Sequence, residues 1–283
     1  MMDRDAKWPG GPTYWLEGRR LCVSIPFTWN LHDVKTRIFQ RSSHWDNVLI
    51  GGPAVRLVPE FFSELSMPWI RIGQGHPDAL AHVNPKATRT MEGCVRNCGF
   101  CAVKRIEPVF RELSTWKNLP IVIDNNLLAC SKDHFDKVID GLKEIGWADF
   151  NQGLDSRLLT DYHAQRIAEI QEPMCRLALD SLDYSGDWER ALGCLLRAGV
   201  PLANIRSYAL VGFDSDPKEA WCRCNFIESY GIKVLPMWFH ELDALKANQV
   251  TEKQKDLGWS ERERNRIMQW FYKHRDFDKP RRR

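Results

Sequence analysis

No stretch of about 18 apolar residues occurs in this 283-residue chain, so a membrane-spanning helix is not expected. Residues 1–10 lack an apolar signal core and give no reason to expect export. Neither sign of charge is in large excess. A net charge of +3 is too small to argue by itself for a nucleic-acid partner. There is no internal repeat beyond a strand–helix rhythm, and no low-complexity segment. What is there is ordinary for a globular protein, with 43% hydrophobic and 27% charged residues. The length suits one large domain, or one domain with a small appendage. Nine cysteines without a secretory signal fit a reducing cytoplasm better than a disulfide framework. Twelve tryptophans are many; some can pave a substrate cavity, and most will be core.

Three of the cysteines stand together in Met91-Glu-Gly-Cys-Val-Arg-Asn-Cys-Gly-Phe-Cys-Ala-Val-Lys104. Cys94, Cys98 and Cys101 have Cys-x3-Cys-x2-Cys spacing in one short, glycine-flanked loop. Thiolates this close can converge on a single iron–sulfur cluster. Three thiolates for four irons leave one iron open, which distinguishes a catalytic cluster from a structural one. A tetrahedral zinc site would want a fourth nearby ligand. The nearest histidines, His76, His82 and His134, stand at no zinc-finger spacing. Three crowded cysteines also cannot all pair as disulfides.

With an aromatic, Phe100, just before the third cysteine, this loop resembles the signature of the radical S-adenosylmethionine (radical SAM) superfamily. The resemblance implies a 4Fe–4S cluster on the three cysteines, with the methionine amino and carboxylate groups of SAM on the fourth iron. It implies reductive cleavage of SAM to a 5′-deoxyadenosyl radical that abstracts hydrogen, fed by a flavodoxin- or ferredoxin-type electron donor. The cofactors carry that chemistry, and the protein supplies binding and orientation. The resemblance also places Phe100 near the adenine.

The rest of the chain reads as an α/β protein. A short N-terminal βα extension over residues 1–70 comprises an irregular lead-in, a strand from Leu21 to Pro26, a helix over 31–41, and a strand ending in Gly51-Gly52. It resembles the trailing half of a cobalamin-binding domain. The Asp-x-His-x-x-Gly motif of that domain is absent, and Pro26 replaces a leucine, so cobalamin is not expected. Residues 71–245 read as a partial (βα)6 TIM-like barrel whose first strand covers 86–91. Residues 246–283 form a helical tail with an amphipathic helix over 260–275. Barrel sites form where strand C-termini turn polar, and this chain has several such tips. Asp124, Asn125 and Asn126 close one apolar strand and offer acceptors for the SAM ammonium. Gln152, Asp155 and Arg157 close the next, and an arginine fork suits the SAM carboxylate. Asp180 and Ser181 resemble the polar pair that contacts ribose. Val211 and Gly212 resemble the adenine-contacting part of a Gly-x-Ile-x-Gly motif, although Tyr208 stands where its first glycine would be. Cys222-x-Cys224 offers ligands for a second cluster; Cys175 and Cys194 read as small buried thiols.

Three function classes follow. The first is a radical SAM enzyme acting on an unidentified substrate. The second is a radical SAM enzyme modifying RNA or DNA, for which the basic tail 279–283 is the only local hint. The third is a non-enzymatic iron–sulfur electron-transfer or sensor protein, against which the polar strand tips argue. If the three cysteines hold one cluster, anaerobically reconstituted protein will contain about four irons and the triple Cys→Ala variant almost none. Equal iron in both would move the site elsewhere.

Overall fold

A computed structural model describes residues 8–40, 45–65, 67–73 and 75–273. The basic tail 279–283 lies outside them, as do residues 1–7 of the N-terminus. The chain divides into two compact units. The first comprises residues 1–88, 92–111 and 240–247, and the second 89–91, 112–239 and 248–283.

The first unit is built on β1 (Thr13–Glu17), β2 (Arg20–Ser24), α1 (Leu31–Gln40), β3 (Asn47–Gly51), α2 (Pro53–Leu57), β4 (Ile70–Ile72) and α3 (Ala79–Val83). Its sheet has the order β1-β2-β3-β4; β1 runs antiparallel to β2, and the β2–β3 and β3–β4 pairs are parallel. The lead-in, expected to be irregular, thus supplies a strand. Gly18, at φ +59°, opens a two-residue hairpin turn with glycine first. Leu21, Val23, Val48 and Ile50 point from the sheet into a core completed by Val34 and Ile38 of α1. That burial of one face dictates the register, since a slip by one residue would turn every apolar side chain outward.

Gly51-Gly52 ends β3 as a tight strand exit. The backbone that approaches closely there is that of Ile25. Gly52 has φ +106°, and a Cβ there would stand 2.5 Å from Ile25 N and 2.6 Å from Ile25 O. Ile25 N–H donates to Gly51 O at 2.9 Å, and Ala54 N–H donates to Ile25 O at 3.1 Å. The glycine pair is therefore explained by backbone packing.

The strand expected over 86–91 appears as two short pieces, β5 (Ala87–Thr88) and β6 (Met91–Glu92). After them come α4 (Val103–Ile106) and β7 (Arg111–Glu112). The second unit then alternates strand and helix: β8 (Ile121–Val122), α5 (Lys132–Ile145), β9 (Trp147–Phe150), α6 (Asp161–Ala168), β10 (Glu172–Leu179), α7 (Ser185–Arg197), β11 (Ile205–Val211), α8 (Pro217–Ser229) and β12 (Lys233–Trp238). Within this unit neighbouring strands pair in parallel in chain order, β8 to β9, β9 to β10, β10 to β11 and β11 to β12. The order never reverses, so right-handed crossovers put the connecting helices on one side of the sheet. The architecture is α/β with parallel sheets. The sheet is open, with no barrel closure among the described residues.

Caps fix the helix starts. Ser131 accepts from His134 N–H at the head of α5, and Thr160 with His163 forms a reciprocal capping box on α6. Two helices follow the sheet, α9 (Glu252–Asp256) and α10 (Glu261–Lys273). Where the sequence suggested a tail beginning at 246, Trp259, Ile267 and Phe271 are buried in the same core as Leu177 and Val211. Trp270 of the expected apolar stripe stays half-exposed, at 52%. Gln254 is 2% exposed and donates to Gly212 O at 2.7 Å and to Phe239 O at 3.2 Å. Trp259 Nε1–H donates to Ser215 O at 2.7 Å.

Replacing Gly52 with alanine should force the Ile25 backbone apart. A strained positive φ alone costs about 1–3 kcal/mol, and for a chain this large each kcal/mol is about 2–4 °C in Tm. Thermal unfolding of Gly52→Ala should therefore fall by several degrees. An unchanged Tm would show that the Ile25 contact is slack.

Candidate functional site

The cysteine loop belongs to the first unit. None of Cys94, Cys98 and Cys101 is in a disulfide; the first is buried and the other two half-buried. Cys101 N–H donates to Cys98 O at 3.0 Å, which tightens the loop between the second and third sulfurs. Arg96 N–H donates to Cys94 Sγ at 3.3 Å. Hydrogen bonds to sulfur tune the potential of a bound cluster. Gly93, just before Cys94, has φ +71°, and a Cβ there would lie 2.6 Å from Val109 C and 2.8 Å from Phe110 N. Only glycine fits. Its N–H donates to the buried Glu107 at 3.1 Å, and Arg105 of α4 donates to Leu57 O at 3.1 Å. Glu92 and Arg111 pair at 2.5 Å across the two ends of the segment. Phe100 sits half-buried beside the third cysteine. Three cysteines outside any disulfide, on a loop this constrained, fit an iron–sulfur cluster that keeps one open position.

The polar strand ends belong to the second unit, and strand alternation sorts them. Cys175, Leu177 and Leu179 of β10 enter the helix-side core, so Arg176, Ala178 and Asp180 point to the opposite face. Register places Asp149 of β9 and Tyr208 of β11 on that same face. Asp149 and Arg176 form a fully buried two-point pair, with both bonds at 2.8 Å. Tyr208 donates its hydroxyl hydrogen to Asn151 O at 2.7 Å, and the Arg176 guanidinium lies 6.0 Å from its ring. Beyond them, at the C-terminal ends, Asn126 Nδ2 donates to Asp155 at 3.1 Å, and Arg157 Nε donates to Asp155 at 2.8 Å. The Arg157 guanidinium also lies 5.1 Å from the Tyr184 ring.

Asp180 differs from these. Its carboxylate accepts no hydrogen bond from a described residue, and burial pushes its carboxyl above the ordinary range against the pull of Arg223 and Arg157. A desolvated carboxylate left without a donor destabilises the fold. Such a cost is usual where a ligand supplies the missing donor.

The structure brings Asn126, Asp155, Arg157 and Asp180 to one end of the sheet and separates the others. Asp124 follows Val122, whose side chain is in the helix-side core, and it faces the same way. It is 3% exposed and accepts from Thr90 N–H at 2.6 Å, Thr90 Oγ1–H at 2.5 Å and Met91 N–H at 3.2 Å. His134 Nε2 lies 3.1 Å from Thr90 Oγ1, and Glu112 lies 3.8 Å from the other ring nitrogen. Burial raises the Asp124 carboxyl above its ordinary range even so. Its oxygens hold the chain at Thr90 and Met91, and an ammonium would have to displace those bonds. Ser181 caps the turn that follows it, accepting from Asp183 N–H at 3.2 Å. Val211 is buried in the helix-side core, which leaves its backbone as the part open to an adenine. Gly212, at φ +82°, lies against the Trp238 ring, where a Cβ would come within 2.6 Å. Gln152 is exposed, and Asn125 is half-buried.

Arg176, Tyr208 and Arg223 were not among the sequence candidates. The signal for the first two was a charged or hydroxylated residue on the alternate face of an apolar strand, as Arg176 and Asp180 are two steps apart on that face. Arg223, on α8, is 2% exposed, donates to Leu210 O and pairs with Glu219 at 2.7 Å. The same helix decides the second-cluster reading. Cys222 is exposed and Cys224 fully buried, its thiol pushed up to about 12 by burial, so the two point apart.

No protein-family model matches the chain, and no curated protein matches it. A crystal structure of Streptococcus suis SuiB bound to S-adenosylmethionine aligns with 94% of this chain and 69% of its own, at 11% identity and a TM-score of 0.42. At that identity and score the likeness decides neither family nor fold.

The raised carboxyl of Asp180 gives a signed expectation. A carboxyl whose folded pKa exceeds its unfolded value contributes stability fully present below the unfolded value, here 3.8, and lost as pH rises through the folded one. Asp180→Asn should therefore melt above the wild type at pH 7, and the gain should shrink to nothing near pH 4. A gain that grows as pH falls would reverse the assignment.

Proposed function

We propose that the chain is a radical SAM enzyme. The observation that carries this reading is the Cys-x3-Cys-x2-Cys loop itself: three cysteines outside any disulfide, preceded by a glycine whose Cβ position is filled by the Val109 and Phe110 backbone. When bound, a 4Fe–4S cluster and SAM would supply reductive cleavage of SAM to a 5′-deoxyadenosyl radical.

The chain's own residues take separate parts. Cys94, Cys98 and Cys101 would hold iron, and the N–H of Arg96 donates to the sulfur of the first. Arg157, now paired with Asp155, offers its fork to the SAM carboxylate. Asn126 and Asp155 supply acceptors for the ammonium. Asp180 takes the ribose hydroxyls and so gains the hydrogen bonds it lacks. Phe100 and the backbone at Val211 and Gly212 flank the adenine. Asp124 positions the strand that leads into the cysteine loop. The unreversed order of parallel strands supports the partial-barrel reading, since a barrel is wound the same way. A flavodoxin- or ferredoxin-type donor in a reducing cytoplasm completes the proposal. No helix among the described residues is long and apolar enough to cross a membrane.

The test is anaerobic reconstitution with iron and sulfide, followed by dithionite and SAM, with 5′-deoxyadenosine measured by chromatography. The iron-loaded protein should release it. Arg157→Ala should keep its iron and bind SAM at least tenfold more weakly. An iron-replete wild type that neither binds nor cleaves SAM would leave an electron-transfer or sensor protein as the reading.

A further inference from the structure

The sheet of the first unit has a second face that the cysteine chemistry does not use. Leu21, Val23, Val48 and Ile50 fill the core side. Register pairs Arg20 with Asn47, Cys22 with Leu49, and Leu49 with Arg71. Arg20, Asn47, Leu49 and Arg71 therefore share the opposite face. Arg20 and Arg71 stand on β2 and β4, one on each side of β3, with stems long enough to converge over Asn47 and Leu49. A cavity of about 300 Å³ lies here, lined by these four side chains with His76 and Pro77. That volume is at the lower end of small-molecule sites.

Charge in the cavity is unbalanced. Exposed arginines elsewhere have acidic partners: Arg19 with Asp46 at 2.8 Å, Arg111 with Glu92 at 2.5 Å and Arg197 with Asp161 at 2.8 Å. Arg71 makes no hydrogen bond or ion pair with a described residue. Among the described residues Arg20 pairs only with Glu17, at 4.0 Å. Glu17 is already engaged, 2.6 Å from His76 Nε2.

Glu17, Cys22 and His76 also have ligand atoms within 4.8 Å of one another, as a metal site would. The hydrogen bonds argue otherwise. Asp78 N–H donates to His76 Nδ1 at 3.1 Å, which puts the ring proton on Nε2, facing Glu17. A cation at Nε2 would need that lone pair and would cost the Asp78 bond. Burial also pushes the Cys22 thiol up, away from the thiolate a metal requires.

We propose that this cavity binds a small phosphate monoester, a function separate from the cysteine loop. The two guanidinium forks take the phosphoryl oxygens, the Asn47 amide donates to a third, and Leu49 and Pro77 pack the organic part. A phosphoryl group has enough oxygens for two forks, whereas a carboxylate has two oxygens and satisfies one.

Calorimetric titration of the full chain with glycerol 3-phosphate, inorganic phosphate, acetate and glycerol tests this. Saturable binding of glycerol 3-phosphate and phosphate is expected, weakening as salt is raised. Arg71→Ala should weaken it about tenfold or more, and Arg71→Lys should fall between, because an ammonium cannot fork. Both side chains are exposed, so an unchanged circular dichroism spectrum should accompany the loss. Absence of saturable heat with either phosphate, acetate binding as tightly as phosphate, or an affinity unchanged in both Arg71→Ala and Arg20→Ala would overturn the proposal. None of these outcomes depends on whether the protein cleaves SAM.

Discussion

A parallel strand covered by helices on one side has to place something on the other, and this chain places charge there. Asp149 and Arg176 sit in the middle of the second unit's sheet, 0% and 6% exposed at their side chains. A buried pair of this kind is weak evidence for net stability, because desolvating two ions offsets most of their attraction. Removing one partner is the costly event, since it leaves the other charge stranded. The pair therefore constrains its neighbourhood more than it strengthens it. Strand register, the Tyr208 contact and the direction in which Asp180 points all follow from keeping Asp149 and Arg176 opposed.

The same two-faced logic separates what the sequence made legible from what it did not. The largely apolar runs before Asp124 and Asp180 marked strands of the second unit, because buried strands read as mainly hydrophobic segments. Their polar tips were visible as tips. Which side of the sheet each tip faced was harder to read. Asp124 and Asp180 look alike in one dimension, each a carboxylate ending an apolar run. One accepts three hydrogen bonds on the helix side, and the other accepts none on the opposite side. Only pairing register, a long-range property, tells them apart. Val211 was read in the same way as a site residue because its neighbours spell part of a motif, and alternation sends its side chain into the core.

Local signals did better where the backbone alone decides. Gly93, flanking the cysteines, and Gly52, ending a strand, stood out in the sequence, and both have positive φ with another backbone in the space a Cβ would take. The hairpin at Gly18 was missed although its signal was present: a glycine-first turn between Trp15, Leu16 and the Leu21–Val23 run. Gly/Pro-rich flanks hid it. Residues 246–283 read as a helical tail with an amphipathic helix, but periodicity alone did not say which core that helix enters; Trp259, Ile267 and Phe271 join the core of the second unit.

That last feature bears on how the protein is made. The second unit's core includes Trp259, Ile267 and Phe271, and Gln254 and Trp259 satisfy carbonyls at Gly212, Ser215 and Phe239. During synthesis these residues leave the ribosome after every strand of the sheet has emerged. Until they arrive, the last strand lacks part of its helix-side cover, and the carbonyls at Gly212, Ser215 and Phe239 lack these donors. A nascent chain halted before residue 259 would hold a sheet that is assembled but unsealed, with exposed apolar surface of the kind that chaperones bind.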